Sequence, residues 1–177
     1  MNRRIALLSF LILIAVSAVA QMGGSPGPEV KKLDYFAGTW TTEGTVAPGP
    51  WGAGGKFTAT TTTEWLPGNF FLQSKTDSQM PAEIGGEDKA TMIMGYDNQQ
   101  NTYTSDRYSS QGQHALSKGT LSGDTWTWTN TTNYGGMDIQ GRMTIKVLSP
   151  TSQTMKYEIS IDGKNWMPFM DGKVTKK

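Results

Sequence analysis

The chain predicts an all-β domain, an antiparallel up-and-down barrel of about ten strands whose closed end is capped by a short N-terminal helix. Three observations predict it. From residue 39 onward Thr, Tyr, Trp and Ile recur with period two, the spacing of side chains that alternate across a sheet. Turn residues break this alternation at the short intervals typical of sandwiches and barrels. Tight turns also join consecutive strands, too short for the crossover that a parallel neighbour needs.

The first element is an export signal over residues 1–20. MNRR precedes an apolar run from Ile5, and the run ends in the small-x-small pattern Ala18-Val19-Ala20 before Gln21. A periplasmic or secreted protein is expected. The run falls short of the roughly 20 apolar residues of a spanning helix, and no later stretch approaches that length, so no integral membrane segment is expected after cleavage. Residues 21–28 are rich in Gly, Pro and Ser and read as a flexible lead-in to a single domain over 29–177.

That domain opens with a short helix over 29–36, with Leu33 and Phe36 on one face and Gly38 to stop it. Ten strands follow, at 39–46, 57–66, 69–77, 90–97, 102–108, 114–121, 125–132, 139–148, 154–161 and 164–174. Leu66-Pro67-Gly68-Asn69 suits a type II turn, and Asp162-Gly163 a two-residue type I′ hairpin. Asp97-Asn98 and Ser149-Pro150 are further turn signals.

The connections fall into two sets. One end carries 47–56, 78–89, 109–113, 133–138 and the 162–163 turn; the other carries 67–68, 98–101, 122–124 and 149–153. The long connections therefore ring one end, the mouth. A meander of this size loses its unpaired edges by closing on itself, and ten strands leave room inside for a ligand. Strand one runs from base to mouth, so LDYFAGTW at 33–40 enters at the closed end, with Leu33, Phe36, Gly38 and Trp40 as its floor.

Composition excludes several classes. The chain has no cysteine, so neither disulfides nor a lipidated N-terminal Cys is available, and the core must carry stability. Lys and Arg number 16 against 15 acids, and loss of Arg3 and Arg4 with the signal brings the balance close to neutral. A neutral domain offers no electrostatic footprint for nucleic acid or an anionic membrane. Lys176-Lys177 reads as a solvated end.

Gly38-Thr39-Trp40 after a short helical lead resembles the Gly-x-Trp of the calycin group, the lipocalins, fatty-acid-binding proteins and related barrels. LDYFAGTW, EWLPGNFFL at 64–72 and MGYDNQQNTY at 94–103 together resemble an uncharacterised family of exported or cytosolic bacterial lipocalin-like domains, over most of the chain after the signal. The second lipocalin signatures and the disulfides of secreted lipocalins are missing. The resemblance implies a lipocalin-like fold and a cavity, not an activity, because function belongs to the site rather than the barrel.

Residues capable of chemistry are few. His114 is the single histidine. Haem-binding barrels of the nitrobindin type place their axial histidine nearer the C-terminus, whereas His114 is mid-chain at a strand start, which reads as a partly exposed residue. One His and no Cys cannot assemble the usual zinc site. Glu83, Glu87 and Asp88 lack the ligand spacing of a calcium loop and read as a solvated acidic loop. The one G-x-S-x-G match, GGSPG at 23–27, falls in the Gly, Pro and Ser rich lead-in and not at a strand-to-helix turn. Glu43, Glu64 and Asp106 could meet across a barrel as paired carboxylates; Glu64 stands out, although Thr58, Thr60 and Thr62 share its face. No catalytic residue, metal or cofactor is assigned.

Trp126 with Trp128, Met92 with Met94 and Tyr96, and Met155 with Tyr157, Ile159 and Ile161 each share a strand face, as core or as cavity wall. Trp51, Met80, Ile84, Tyr134 and Met137 fall in the mouth loops, where solvation favours polar residues. They mark a portal, or else anchor their loops. The expected function is a non-catalytic container for a small hydrophobic or amphipathic molecule. The alternatives are a filled barrel that recognises protein or glycan and, behind it, a haem-binding or enzymatic barrel.

Overall fold

A computed structural model describes residues 24–134 and 136–177. The export signal expected over 1–20, and the start of the lead-in, lie outside the described residues. A five-residue helix α1 (Pro28–Lys32) continues into a 3-10 turn (Leu33–Phe36). Ten strands follow: β1 (Gly38–Val46), β2 (Gly55–Trp65), β3 (Leu72–Gln79), β4 (Glu87–Asp97), β5 (Thr102–Ser109), β6 (His114–Ser122), β7 (Thr125–Tyr134), β8 (Met137–Ser149), β9 (Ser152–Ser160) and β10 (Met167–Lys176). Each pairs antiparallel with its sequence neighbours, and β1 closes the barrel on β10, Trp40 opposite Lys176.

Several boundaries differ from the sequence expectation, each for a local reason. The helix drawn over 29–36 tightens after Lys32, and the 3-10 spacing stacks Leu33 and Phe36 on one side, both buried. The strand drawn from 69 begins at Leu72. Asn69 N–H donates to Leu66 O at 2.9 Å with Gly68 at φ 90, the type II turn, but Asn69 itself sits at φ 58 and cannot extend. Phe70 and Phe71 are left 39% and 48% exposed.

Asp162-Gly163 is not a two-residue hairpin. Asp162 Oδ1 accepts from Lys164 N at 2.8 Å, Asn165 N at 2.7 Å and Ser160 Oγ at 3.1 Å, so the side chain winds the backbone into a longer loop and β10 starts only at Met167. At the same end β7 runs on to Tyr134 and β8 begins at Met137, so these two residues close a tight hairpin in place of the longer loop expected over 133–138. β4 begins at Glu87, three residues before the expected start, which moves Asp88 from a loop into the sheet.

The core fills the closed end. Leu33, Phe36, Leu72, Met94, Tyr103, Trp126 and Trp128 form one buried cluster. Phe36 and Tyr103 lie 5.1 and 4.8 Å from the Trp126 ring, in tilted and edge-on geometry. Hydrogen bonds pin the helical segment across this floor: Trp40 Nε1 to Phe36 O at 3.0 Å, Trp65 Nε1 to Asp34 Oδ1 at 2.8 Å, Tyr35 Oη to Ser152 O at 3.2 Å and Tyr103 Oη to Glu29 Oε2 at 2.7 Å. Gly38 makes the entry into β1 at φ 107, a conformation L side chains rarely adopt. With one end plugged, the opposite end is where the lumen meets solvent.

Candidate functional site

Above the floor, inward-facing side chains are only half-buried. Thr61, Thr76, Met92, Ser117, Asn130, Met143, Met155 and Tyr157 all alternate in phase with core residues, yet each keeps accessible surface. The wall is mixed, with methionines beside hydroxyls. Thr63 and Ser74 bond each other at 2.8 Å, and Thr61 and Thr76 at 2.9 Å, so neighbouring strands satisfy their own hydroxyls.

A charged and polar group occupies the upper lumen. Asp88 lies in phase with Ala90 and Met94 on β4, and Arg107 in phase with Tyr103 and Ser105 on β5. Arg107 Nη2 donates to Asp88 Oδ2 at 2.6 Å, while Ser109 Oγ and Ser110 Oγ donate to Oδ1 at 2.6 and 3.0 Å. Burial works to raise the Asp88 pKa, but the bonds from Ser109, Arg107 and Ser110 outweigh it and hold the carboxyl below its ordinary value. On β9, Tyr157 Oη donates to Asn130 Oδ1 of β7 at 3.3 Å. Burial pushes this phenol's pKa up, against smaller opposing effects from Asn130 and the Arg107 charge. Arg107 on β5 and Tyr157 on β9 both alternate in phase with inward residues and so face the lumen.

Gly141 makes this possible. A Cβ there would collide with Tyr157 Oη and Asn130 Oδ1, so the missing side chain on β8 is the space into which the pair fits. Arg107, Asn130 and Gly141 were not singled out from sequence, and Asp88 was read only as part of a solvated acidic loop. The signal was present: extending the alternation of Met92, Met94 and Tyr96 upward puts Asp88 on the inner face.

The structure places the expected portal residues at two separate positions. Trp51 is half-buried, its Nε1 donating to Ala47 O at 2.8 Å and its ring 5.0 Å from Phe169. Met80 precedes a 3-10 turn (Ala82–Ile84) that ends on Ile84, and both are half-buried. The loops carrying these three are laced together: Ala53 N donates to Glu83 Oε2 at 3.0 Å, and Gln111 Nε2 to Gly85 O at 2.8 Å. Tyr134 and Met137 pair at the β7–β8 hairpin, away from those loops, with Met137 55% exposed.

The other sequence candidates do not converge. Glu43 and Glu64 are exposed on the outer face, and Asp106, out of phase with Ser105, also points outward, so the three carboxylates do not meet across the barrel. Alternation decides this, since each neighbours an inward residue. Asp106 instead bonds His114 Nε2 at 2.6 Å and accepts from Tyr108 Oη at 2.8 Å, with the His114 and Tyr108 rings stacked at 4.9 Å on the surface. Glu83 serves the loop, Glu87 lies 3.8 Å from Lys89, and Asp88 is lumenal, so the solvated acidic cluster expected there is split three ways. Among the described residues no three His, Cys, Asp or Glu side chains gather where they could hold a metal, and no helix is long and apolar enough to cross a membrane.

A family model described as "Protein of unknown function (DUF1579)" matches residues 25–176. Comparison with curated proteins finds no match. Among solved structures, the barrel is similar to Rv2717c from M. tuberculosis, with 9% identity over 86% of this chain and 99% of that one and a TM-score of 0.58. It is also similar to the S-type phycobiliprotein lyase CPES from Guillardia theta, with 8% identity over 83% of this chain and 91% of that one and a TM-score of 0.52. These likenesses are of fold, a calycin-type barrel.

Proposed function

The chain belongs to the DUF1579 family, whose description names no activity, and from the lumen we propose that it binds a small amphipathic molecule inside the barrel. One observation carries this reading: inward side chains above the floor remain accessible, and they present methionines together with the Arg107, Asp88, Tyr157 and Asn130 group. The apolar part of the ligand packs on Met92, Met143 and Met155, gaining about 25 cal/mol per Å² of apolar surface buried. Its polar part meets the Arg107 and Tyr157 side, where fixed donors set orientation.

Trp51, Met80 and Ile84 stand on the laced side of the mouth and Tyr134 and Met137 on the other, and ligand entry between them completes the proposal. Export through a signal at 1–20, and so a periplasmic or secreted location, is part of it as well. No catalytic step is assigned.

The test is native mass spectrometry of the protein purified gently from its host's envelope and medium. The expected result is a stoichiometric adduct that is released on denaturation and identifies the ligand class. A bare mass that stays bare after incubation with host lipid extract would overturn the lumenal reading. N-terminal sequencing of the same sample should begin at Gln21; retention of Met1 would remove the export proposal.

A further inference from the structure

Given an amphipathic ligand in the lumen, and resting on that reading, we propose that Asp88 is the residue that fixes its head-group class: an uncharged carbonyl, as in an ester, ketone or amide, in preference to a carboxylate or an amine.

Among the described strand residues above the floor, Asp88 and Arg107 are the charged side chains that alternate in phase with inward neighbours, while Glu87, Lys89 and Asp106 beside them alternate to the outer wall. The two are not equally spent. Asp88 Oδ1 accepts from Ser109 and Ser110, Oδ2 accepts from Arg107 Nη2, and 12% of the side chain stays accessible. Arg107 gives that one bond. Among the described residues its Nε and Nη1 have no partner, and 36% of the side chain is accessible. Its neighbours across the two adjoining strands are Met92 and Ala115, whose side chains offer no oxygen. The carboxylate is therefore closed to a ligand, and the guanidinium keeps N–H donors open beside a methionine. An ammonium head would find its acceptor already taken. A head that accepts hydrogen bonds is the one that fits.

The charge balance then divides one acceptor from another. An unpaired guanidinium favours a carboxylate, which it grips with parallel charge-assisted bonds. Here an anion already stands 2.6 Å from Arg107. Burial works to raise the Asp88 pKa, yet the bonds from Ser109, Arg107 and Ser110 hold it below the ordinary value, so Asp88 is ionised at neutral pH. A ligand carboxylate would share one positive charge with Asp88, be repelled by it, and lose its own hydration on entry. A carbonyl oxygen takes the same N–H donors with no net charge to desolvate. Asp88 thus converts what would be an anion site into a site for a neutral acceptor, and Met92 next to Arg107 receives the start of the apolar chain.

The experiment titrates the purified protein with methyl decanoate, decanoate and decylammonium, one chain under different heads, at about pH 8, where the free acid is ionised. Binding is read by tryptophan emission and by the Arg107 Nε–H signal in NMR. Methyl decanoate should bind about tenfold more tightly than either charged probe and shift the Arg107 signal. In Asp88→Asn the guanidinium is unopposed, and the ratio of decanoate to ester affinity should rise about tenfold. The double variant Asp88→Asn with Arg107→Met leaves no charge on this wall, so it should fold even where a single variant fails; it should weaken methyl decanoate about tenfold through loss of the N–H donors. Decanoate binding as tightly as the ester in wild type, an affinity ratio unmoved by Asp88→Asn, or full ester affinity in the double variant would each overturn the assignment of Asp88 while leaving lumenal binding intact. Failure of every probe to bind would overturn it as well, with the adduct found or missing in native mass spectrometry deciding separately whether the lumenal reading stands.

Discussion

Arg107 Nη2 lies 2.6 Å from Asp88 Oδ2 on the inner wall, a charged pair placed where a lipid-like container would be expected to carry only apolar groups. The barrel tolerates it because Asp88 is fully solvated by protein, one oxygen taken by two serines and the other by the guanidinium. Removing Arg107 alone leaves that carboxylate half-satisfied. Arg107→Ala should cost about 2–3 kcal/mol, below the 3–5 typical of a wholly buried pair because the guanidinium is partly accessible. Urea unfolding of Arg107→Ala, Asp88→Ala and the double variant should show the double variant recovering part of the loss; strict additivity would show that the pair is not coupled.

The same pair sets an acid limit. The Asp88 carboxyl is held below its ordinary value of about 3.9 in the folded state. Its contribution to stability is therefore complete above that unfolded value and is lost as pH falls through the lower folded one. Asp88→Asn should lower stability at neutral pH and flatten the decline below about pH 4. Parallel acid limbs in wild type and variant would remove Asp88 as the cause.

Gly141 has ordinary backbone geometry, so its role is space alone. In Gly141→Ala the new Cβ displaces the Tyr157 phenol and the Asn130 amide together. We expect a loss of about 1–3 kcal/mol, the usual cost of overpacking. Tyr157→Leu placed on top of Gly141→Ala should restore part of it, by removing one of the two groups that collide. No restoration in thermal unfolding of the double variant would mean that the strain lies elsewhere.

Most of the barrel was readable from alternation and turn chemistry, because a one-residue slip would turn every side chain of a strand to the wrong face. The errors cluster where side chains capture backbone, as Asp162 does, or where a second left-handed residue such as Asn69 prolongs a turn. The belt in the lumen was less readable. A loop of Glu87 and Asp88 and a strand start there share a composition, and only the strand puts Asp88 inside. The meeting of Tyr157 with Asn130 over Gly141 joins three strands, and no local pattern on any of them announces it.

The floor offers a graded test of the plug. Phe36 is buried against Trp126, and Phe36→Ala should cost about 3–5 kcal/mol, as for other buried aromatics. Tyr103→Phe removes only the bond to Glu29, whose carboxylate can turn to water; about 1 kcal/mol is expected, or a melting temperature lower by roughly 2–4 °C. Near-equal losses in calorimetry would show that the helical segment is held by its hydrogen bonds rather than by packing.

Trp51 joins the mouth to the wall. Its indole bonds Ala47 O and leans on Phe169, which in turn lies 6.0 Å from Tyr157 inside the barrel. Within the same loop Gly49 and Gly52 exchange backbone bonds at 2.9 and 3.0 Å, an isolated bridge with no sheet to support it. That bridge depends on the indole, which packs over Gly49 so closely that a side chain there would not fit. Trp51→Ala should therefore raise amide exchange at Gly49 and Gly52 at least tenfold, equivalent to about 1.4 kcal/mol of local opening, and leave the amides of β7 and β8 unchanged. Trp51→Phe should fall between, since it keeps the contact with Phe169 and loses the bond to Ala47. Unchanged protection in Trp51→Ala would separate this loop from its anchor and leave the route into the lumen to the Met137 side.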